Sequence, residues 1–511
     1  MKYDYLLHHL FARSLELFPD KPSVGDNQCL LTFSELAKKA GGVIKRLQQI
    51  SLEKGERVAF FLEHDVNQAV SILAISVAGG VFVPINALLF PQQVVHILQD
   101  SGARALITTR ARGQLLDEAL SIHNRDMEII FIEDIDSEGN IERTCFAIEN
   151  DLTAILYTSG SSGQPKGVMI SHKNLVSGCW IISEYLGLDS NDRLLGVLPL
   201  SFDYGLNQLI TMWAHGGFYQ FQTFKLPNEI VDALVKYNIT GFAGIPPIWA
   251  ILVRSSLCRT KLLHLKYITN SGGAVPTTIV NKLKEYLPQT KMFLMYGLTE
   301  AFRSTYLPPE QLENHITSIG KAIPNTEIMI LSPNGQRCKP RETGELVHRG
   351  PTVSLGYWKR PDDNEKRFRP WPLGADPKTC MERVVFSGDL AYSDEEGYLF
   401  FVGRNDAMIK CSGNRISPSE IEEVVHQTGL VKQVAAIGVP DTAAGQVIKI
   451  FVVLTDELKF QTEGAKKQIV DYCSKKMPAY MCPRFVECVE ELPRTATGKI
   501  DYPLLQKRGQ K

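Results

Sequence analysis

Tyr157-Thr158-Ser159-Gly160-Ser161-Ser162-Gly163-Gln164-Pro165-Lys166-Gly167 packs three glycines, four aliphatic hydroxyls and a lysine between two short apolar runs. Such a segment contributes little to a core, but it can wrap a polyphosphate. Glycine lets backbone N–H groups approach an anion, the hydroxyls donate hydrogen bonds, and Lys166 supplies positive charge. The flanks, 152–157 and 168–170, read as strands, so the segment joins two strands. A P-loop is excluded on two counts: no helix follows directly, and the spacing departs from G-x-x-x-x-G-K-[ST]. A plain surface hairpin is the competing reading, and it leaves the glycine spacing and the lysine after proline without a purpose.

At 511 residues the chain exceeds the size at which a single core keeps growing, so two or three domains are expected. Its 44% apolar and 22% charged residues are those of a soluble globular protein. With 55 basic against 56 acidic residues there is no global field to recruit nucleic acid or anionic lipid. The longest apolar stretch, 69–89, is broken by Gly79, Gly80, Pro84 and Asn86. It reads as a buried helix followed by a strand, not as a membrane span. Lys2, Asp4, His8, His9 and Arg13 among the first leucines give no secretory signal. The ten cysteines form no C-x-x-C pair and no Cys/His cluster of zinc spacing, which fits reduced thiols in a cytoplasmic enzyme. Cys411 reads as a passive neighbour of a motif taken up below.

Helices and strands alternate over roughly the first four hundred residues, which implies sheets covered by helices, an α/β class. A helix is predicted over 6–17, and Thr32-Phe33-Ser34-Glu35 is a capping box opening another toward Leu47. Ser171 is placed to cap a helix running to Tyr185, and 57–62 reads as a strand. After Gly403 the texture changes. A polar, glycine-containing stretch at 405–415 precedes a compact α+β pattern: helices over 418–426 and 464–476, strands near 434–439 and 447–454, and a loop-like tail at 492–499. A boundary is therefore set near 404–406, giving units 1–404 and 405–511. The charged run 362–369 reads as a solvated surface.

Four further segments join the glycine-rich loop. They are Tyr296-Gly297-Leu298-Thr299-Glu300, Ser387-Gly388-Asp389-Leu390, Gly403-Arg404-Asn405-Asp406-Ala407-Met408-Ile409-Lys410 and Pro493-Arg494-Thr495-Ala496-Thr497-Gly498-Lys499. Alone, each is an ordinary turn or helix start. In this order they resemble the adenylate-forming superfamily of acyl-CoA synthetases, peptide-synthetase adenylation domains and luciferases, over nearly the whole chain. The resemblance implies a large N-terminal domain of packed α/β subdomains and a small mobile α+β C-terminal lid. It also implies two reactions: a carboxylic or amino acid and ATP give an acyl-adenylate and pyrophosphate, then a thiol takes the acyl group.

Carried onto this sequence, the resemblance assigns the β- and γ-phosphates to Thr158, Ser159, Gly160, Ser161, Ser162, Gly163 and Lys166. Thr299 meets the α-phosphate, and Glu300 helps hold Mg²⁺. Asp389, assisted by Arg404, accepts from the ribose hydroxyls; a carboxylate suits that because it only accepts. Gly272, Gly273 and Ala274 line the adenine pocket, with Tyr296 stacked on the base. Lys499 bridges carboxylate and α-phosphate in the first step. One site cannot run both steps without removing Lys499, so the lid turns about Asp406. Lys410, Gly413 and Arg415 then face a pantetheine arm, with glycine leaving room for it.

The segment Phe202-Asp203 departs from many fatty and short-chain acyl-CoA synthetases, which carry histidine where Phe202 stands. It looks more like amino-acid-activating relatives, whose aspartate binds an α-ammonium; the alternative is that Asp203 caps the following helix. Gly244, Ile245, Pro246, Pro247, Trp249, Ser271 and Arg303 are expected to complete the pocket. Arg303 is left three options: a substrate carboxylate, Asp203, or solvent. The acceptor is expected to be a separate molecule, either CoA or the phosphopantetheine of a free-standing carrier protein. Luciferase-like oxidation and a non-catalytic nucleotide sensor are the competing classes; O₂ consumption and pyrophosphate release tell them apart.

Overall fold

The computed structural model describes residues 4–117, 127–136, 139, 141, 146–159, 165–260, 262–371, 382–404, 407–411, 414–441, 445–495 and 498–509. Among these, four sheets organise the chain. The glycine-rich segment joins two strands, as its sequence predicts, although both strands run further into it than expected. Strands Leu152–Ser159 and Pro165–Ser171 pair antiparallel, with Thr158 opposite Lys166. They belong to a seven-stranded sheet whose other long strands run parallel. A nine-stranded sheet, parallel through its centre and antiparallel at both margins, forms the second layer.

Helix Val66–Val77 separates these two sheets. Of its twelve residues only Asn67 is not buried, the mark of a helix enclosed on all sides. It touches strand Pro22–Gly25 of the larger sheet and strands Arg57–Phe61 and Val81–Pro84 of the smaller. Helix Phe33–Gln49 packs beside it and is opened by the predicted capping box, with Thr32 and Glu35 bonding reciprocally. Ser171 caps helix His172–Leu186 in the same way, with Asn174 in the glutamate's place. No described helix is long and apolar enough to cross a membrane.

A third, antiparallel sheet contains Gly344–Arg349, Arg383–Ser393 and Leu399–Arg404. The fourth is built entirely from residues after 408 around the pair Val431–Asp441 and Gly445–Leu454. Its strands bury both faces with a period of two: Ile450 and Val452 join Ile421 and Ile469, while Phe451 and Val453 join Leu492 and Leu505. Thr277 and Glu423, hydrogen-bonded at 2.6 Å, bring this unit against the nine-stranded sheet's helix Thr277–Tyr286.

Candidate active site

Three neighbouring parallel strands of the nine-stranded sheet end together: Gly241–Gly244, Tyr267–Asn270 and Lys291–Tyr296. The carboxyl ends of such strands are where open α/β sheets bind ligands, because the chain must turn there and leaves a crevice. Gly244 and Ile245, Ser271 to Ala274, and Tyr296 to Arg303 follow directly from these ends. Strand Arg193–Gly196, next in the sheet, leads on to Phe202 and helix Asp203–His215.

Close backbone approach shapes this crevice. Gly272 has φ of +79°, and a Cβ there would lie 3.4 Å from Ile245, 3.5 Å from Lys499 Cε and 3.6 Å from the Phe202 ring. A Cβ on Gly244 would stand 2.6 Å from the Trp249 indole. That indole donates to Asn270 Oδ1 at 3.0 Å, and Asn270 Nδ2 donates to the Gly273 carbonyl at 2.9 Å. Trp249 and Asn270 thus fix the loop that carries Gly272, Gly273 and Ala274.

Asp203 is the first residue of its helix, and its carboxylate turns inward, not to a cap. Arg303 Nη1 donates to Asp203 Oδ2 at 3.0 Å and Thr299 Oγ1 to Oδ1 at 3.3 Å, with both charged side chains almost wholly buried. Of the three options for Arg303, pairing with Asp203 is the one adopted, and exposure to solvent is corrected. The cause is local: buried Phe302 holds φ of +48°, a costly turn for a non-glycine residue, and reverses the chain so that Arg303 points in. Burial pushes the Asp203 carboxyl up, and Arg303 and the Lys499 ammonium pull it back.

Asp389 sits opposite Arg404 in the third sheet, 3.5 Å from its guanidinium. Tyr296 Oη donates to Asp389 Oδ2 at 2.5 Å, while buried Oδ1 accepts no hydrogen bond from the described residues. An unsatisfied carboxylate oxygen at a crevice suits a hydroxyl-bearing ligand. Burial raises the Asp389 carboxyl, with Arg404 the main opposing charge. The Tyr296 ring stacks on His348 at 6.0 Å. His348 is fully buried, neither ring nitrogen is hydrogen-bonded among the described residues, and desolvation lowers its pKa to about 3.

Glu300 lies at the same end of the crevice and accepts from Tyr357 Oη at 2.5 Å. Among the described residues no group of three or more His, Cys, Asp or Glu could hold a metal by itself. Lys166 pairs with Asp363 at 2.9 Å. Tyr157 Oη donates to Asp100 Oδ2 at 2.7 Å, tying the hairpin below Thr158 to the helix that carries Asp100.

Lys499 enters from the fourth sheet's unit. As a residue it keeps solvent-exposed surface, while its ammonium stands 5.3 Å from the Phe202 ring centroid. Loss of water lowers its pKa, and Asp203, Glu300 and Asp389 act in the opposite direction. Lys499 is thus brought together with Phe202, Asp203, Gly272, Glu300, Asp389 and Arg404. Gly160, Ser161, Ser162, Gly163, Asp406 and Gly413 lie outside the described residues, as do the side chains of Ser159, Lys410 and Arg415. Cys411 is buried.

Sequence reasoning passed over Tyr357, Asp363, Arg367, His348, Trp249's bond to Asn270, and Asp100. The run 362–369 is corrected in part. It overlaps helix Pro361–Arg367, whose Asp363 reaches Lys166 and whose Arg367 donates at 3.0 Å to the carbonyl of Phe386, on the strand that carries Asp389. A short charged helix gives no sequence signal for which of its faces is covered.

Comparison with known proteins gives the same assignment from an independent side. The family described as AMP-binding enzyme matches residues 11–358, and its C-terminal domain matches 420–499. A long-chain-fatty-acid–CoA ligase of Escherichia coli O157:H7 is 28% identical over 96% of this chain and 92% of its own. Tyrocidine synthase 1 of Brevibacillus parabrevis is 27% identical over 98% of this chain and 44% of its own. Among solved structures, an anthranilate CoA ligase in complex with anthranoyl-AMP superposes with a TM-score of 0.89. It is 25% identical and covers 100% of this chain and 98% of its own. A benzoate CoA ligase from Burkholderia xenovorans LB400 shares the fold, with a TM-score of 0.87 and 24% identity over 98% of this chain and 100% of its own. With strand ends, an unsatisfied carboxylate and a lysine converging on one crevice, the chain belongs to the AMP-binding enzyme family, as an AMP-forming acid–thiol ligase that activates a carboxylic acid with ATP.

Proposed function

We propose that the acid activated here carries no α-ammonium group and that the acceptor is CoA. The observation behind the first part is the Asp203–Arg303 pair. Asp203 already has a buried cation at 3.0 Å and a hydroxyl at 3.3 Å, so a substrate ammonium would have to compete with an intact ion pair. Phe202, Ile245 and Trp249 offer an apolar wall instead. Support for CoA comes from the ligases named for it among the relatives, which match along almost their whole length. The second reading, an amino-acid activating enzyme loading a separate carrier protein, draws on the match to tyrocidine synthase 1 and on the Phe202-Asp203 sequence.

In the proposed first step Asp389 holds the ribose through Oδ1, the oxygen that lies 3.5 Å from Arg404 Nη1. Tyr296 and the loop of Gly272, Gly273 and Ala274 hold the base. Thr158, Ser159, the 160–163 segment and Lys166 hold the terminal phosphates, and Thr299 lies by the α-phosphate. Glu300 would hold Mg²⁺, which supplies charge neutralisation on the phosphate oxygens. A substrate carboxylate oxygen bonds to the α-phosphorus and pyrophosphate leaves. Lys499 steadies both oxyanions as charge moves between them, which is how preorganised charge lowers such a barrier. In the second step a thiolate bonds to the acyl carbon and AMP leaves. Units 1–404 and 405–511 would reorient about Asp406, taking Lys499 out and bringing Lys410 and Gly413 to the thiol path.

Pyrophosphate release screened over fatty, aryl and α-amino acids, followed by addition of CoA, tests the reading. Turnover with fatty or aryl acids and thioester formation with CoA is the expected result. Activity confined to α-amino acids, or thioester formed only on a carrier protein, would refute it.

A further inference from the structure

Lys166 meets a carboxylate on a part of the chain almost two hundred residues away. Its ammonium is 2.9 Å from Asp363, with the two side chains 19% and 31% exposed, and 5.7 Å from the Tyr357 ring centroid. Backbone holds this geometry. Strand Gly356–Tyr357 pairs with the lysine's own strand, Gly356 opposite Met169 and Tyr357 opposite Val168, and Trp358 N–H donates to the Gly167 carbonyl at 2.8 Å. Asn364 then brackets Tyr357, accepting from its N–H at 2.6 Å and donating to its carbonyl at 2.9 Å. Asp100 fastens the far side of the turn, taking the Trp358 indole N–H at 2.9 Å and the Arg360 guanidinium at 3.0 Å. Asp363 lies between these fixed points, so its approach to Lys166 is built into the turn and is not a chance contact of two long surface side chains.

We propose that Asp363 is a positioning residue that serves as the resting counter-ion of Lys166, so that the terminal phosphates of ATP must displace a carboxylate before the lysine can hold them. The proposal rests on the reading of Lys166 as a phosphate-binding residue given above. An ammonium is a compact point charge, and two anions drawn to it repel each other. The resting pair keeps Lys166 oriented across the hairpin from Thr158, and it weakens the net attraction for any ligand that carries β- and γ-phosphates. AMP, which has neither, is blind to the exchange.

Binding of ATP, pyrophosphate and AMP to the full chain, measured by calorimetry, tests this. Asp363→Asn keeps the shape and removes the charge; Asp363→Ala guards against a new hydrogen bond from the amide. The expected gain for ATP and pyrophosphate is about two- to fivefold in Kd, the scale of one partly exposed ion pair. The gain shrinks as salt screens the wild-type pair. AMP binding stays as in the wild type. Unchanged or weaker ATP binding in both variants, or an equal gain for AMP, overturns the proposal. Lys166→Gln separates the two layers. If it weakens ATP binding while the Asp363 variants do not tighten it, only the counter-ion role falls; if it binds ATP as the wild type does, the phosphate role of Lys166 falls with it.

Discussion

Replacing Arg303 by methionine would leave the Asp203 carboxylate in a buried site with one hydroxyl for company. The ion pair is almost fully removed from water, with side chains 3% and 4% exposed, so it is not a surface pair of negligible worth. Removing one partner of a buried pair strands the other, and that costs about 3–5 kcal/mol. Thr299 still donates to Asp203, and the Lys499 ammonium lies near enough to raise the same site's preference for charge. The lower end, about 3 kcal/mol, is therefore expected. Asp203→Leu combined with Arg303→Met fills similar volume without charge, and such apolar replacements are often neutral. The double variant should return to within about 1 kcal/mol of the wild type. Urea unfolding followed by the fluorescence of buried Trp213 and Trp249 reads both values. A loss below about 1 kcal/mol for Arg303→Met, or a double variant no better than the single one, would refute the reasoning.

The buried histidine under Tyr296 gives a pH-dependent prediction. His348 falls from the ordinary 6.5 to about 3 in the folded chain, so between those values the unfolded chain binds the extra proton. Stability is then fully present above pH 6.5 and drains away as pH falls, by about 2 kcal/mol at pH 5 from this residue alone. His348→Leu breaks no hydrogen bond and should flatten urea midpoints between pH 7 and pH 5; an unaltered slope would contradict this. Gly244→Ala places a methyl 2.6 Å from the Trp249 ring, an overpacking worth about 1–3 kcal/mol, and should loosen the Asn270 bond that fixes the loop at Gly272. A wild-type melting temperature together with a wild-type KM for ATP would count against that linkage.

Much of the architecture could be read from residue pattern because local rules and tertiary packing agree there. The capping box at Thr32, the cap at Ser171 and the strand near 447–454 are such cases. The segments that carry Gly272, Thr299, Asp389 and Lys499 stand out in the sequence because glycine, hydroxyl and charge in fixed order have few structural uses, and the structure gathers these four around one crevice. What stayed hidden depends on distance in space. Asp363, Tyr357 and Asp100 are ordinary residues whose partners lie 57 to 260 positions away, and no local periodicity points to them. Asp203 shows the same limit in another form. Its place at the start of a helix permits a cap, a substrate contact or an ion pair, and the choice is made by the reversal at Phe302, which no propensity rule encodes.

ATP–pyrophosphate exchange in Lys499→Ala, set beside thioester formation from supplied acyl-AMP, addresses the convergence of both units on one nucleotide. Loss of a preorganised charge at the reacting oxygens should slow exchange on the order of 10²–10³-fold, roughly 3–4 kcal/mol, while transfer from acyl-AMP suffers much less. Exchange at the wild-type rate would mean that the ammonium seated over Phe202 has no part in the chemistry, and the account would fail.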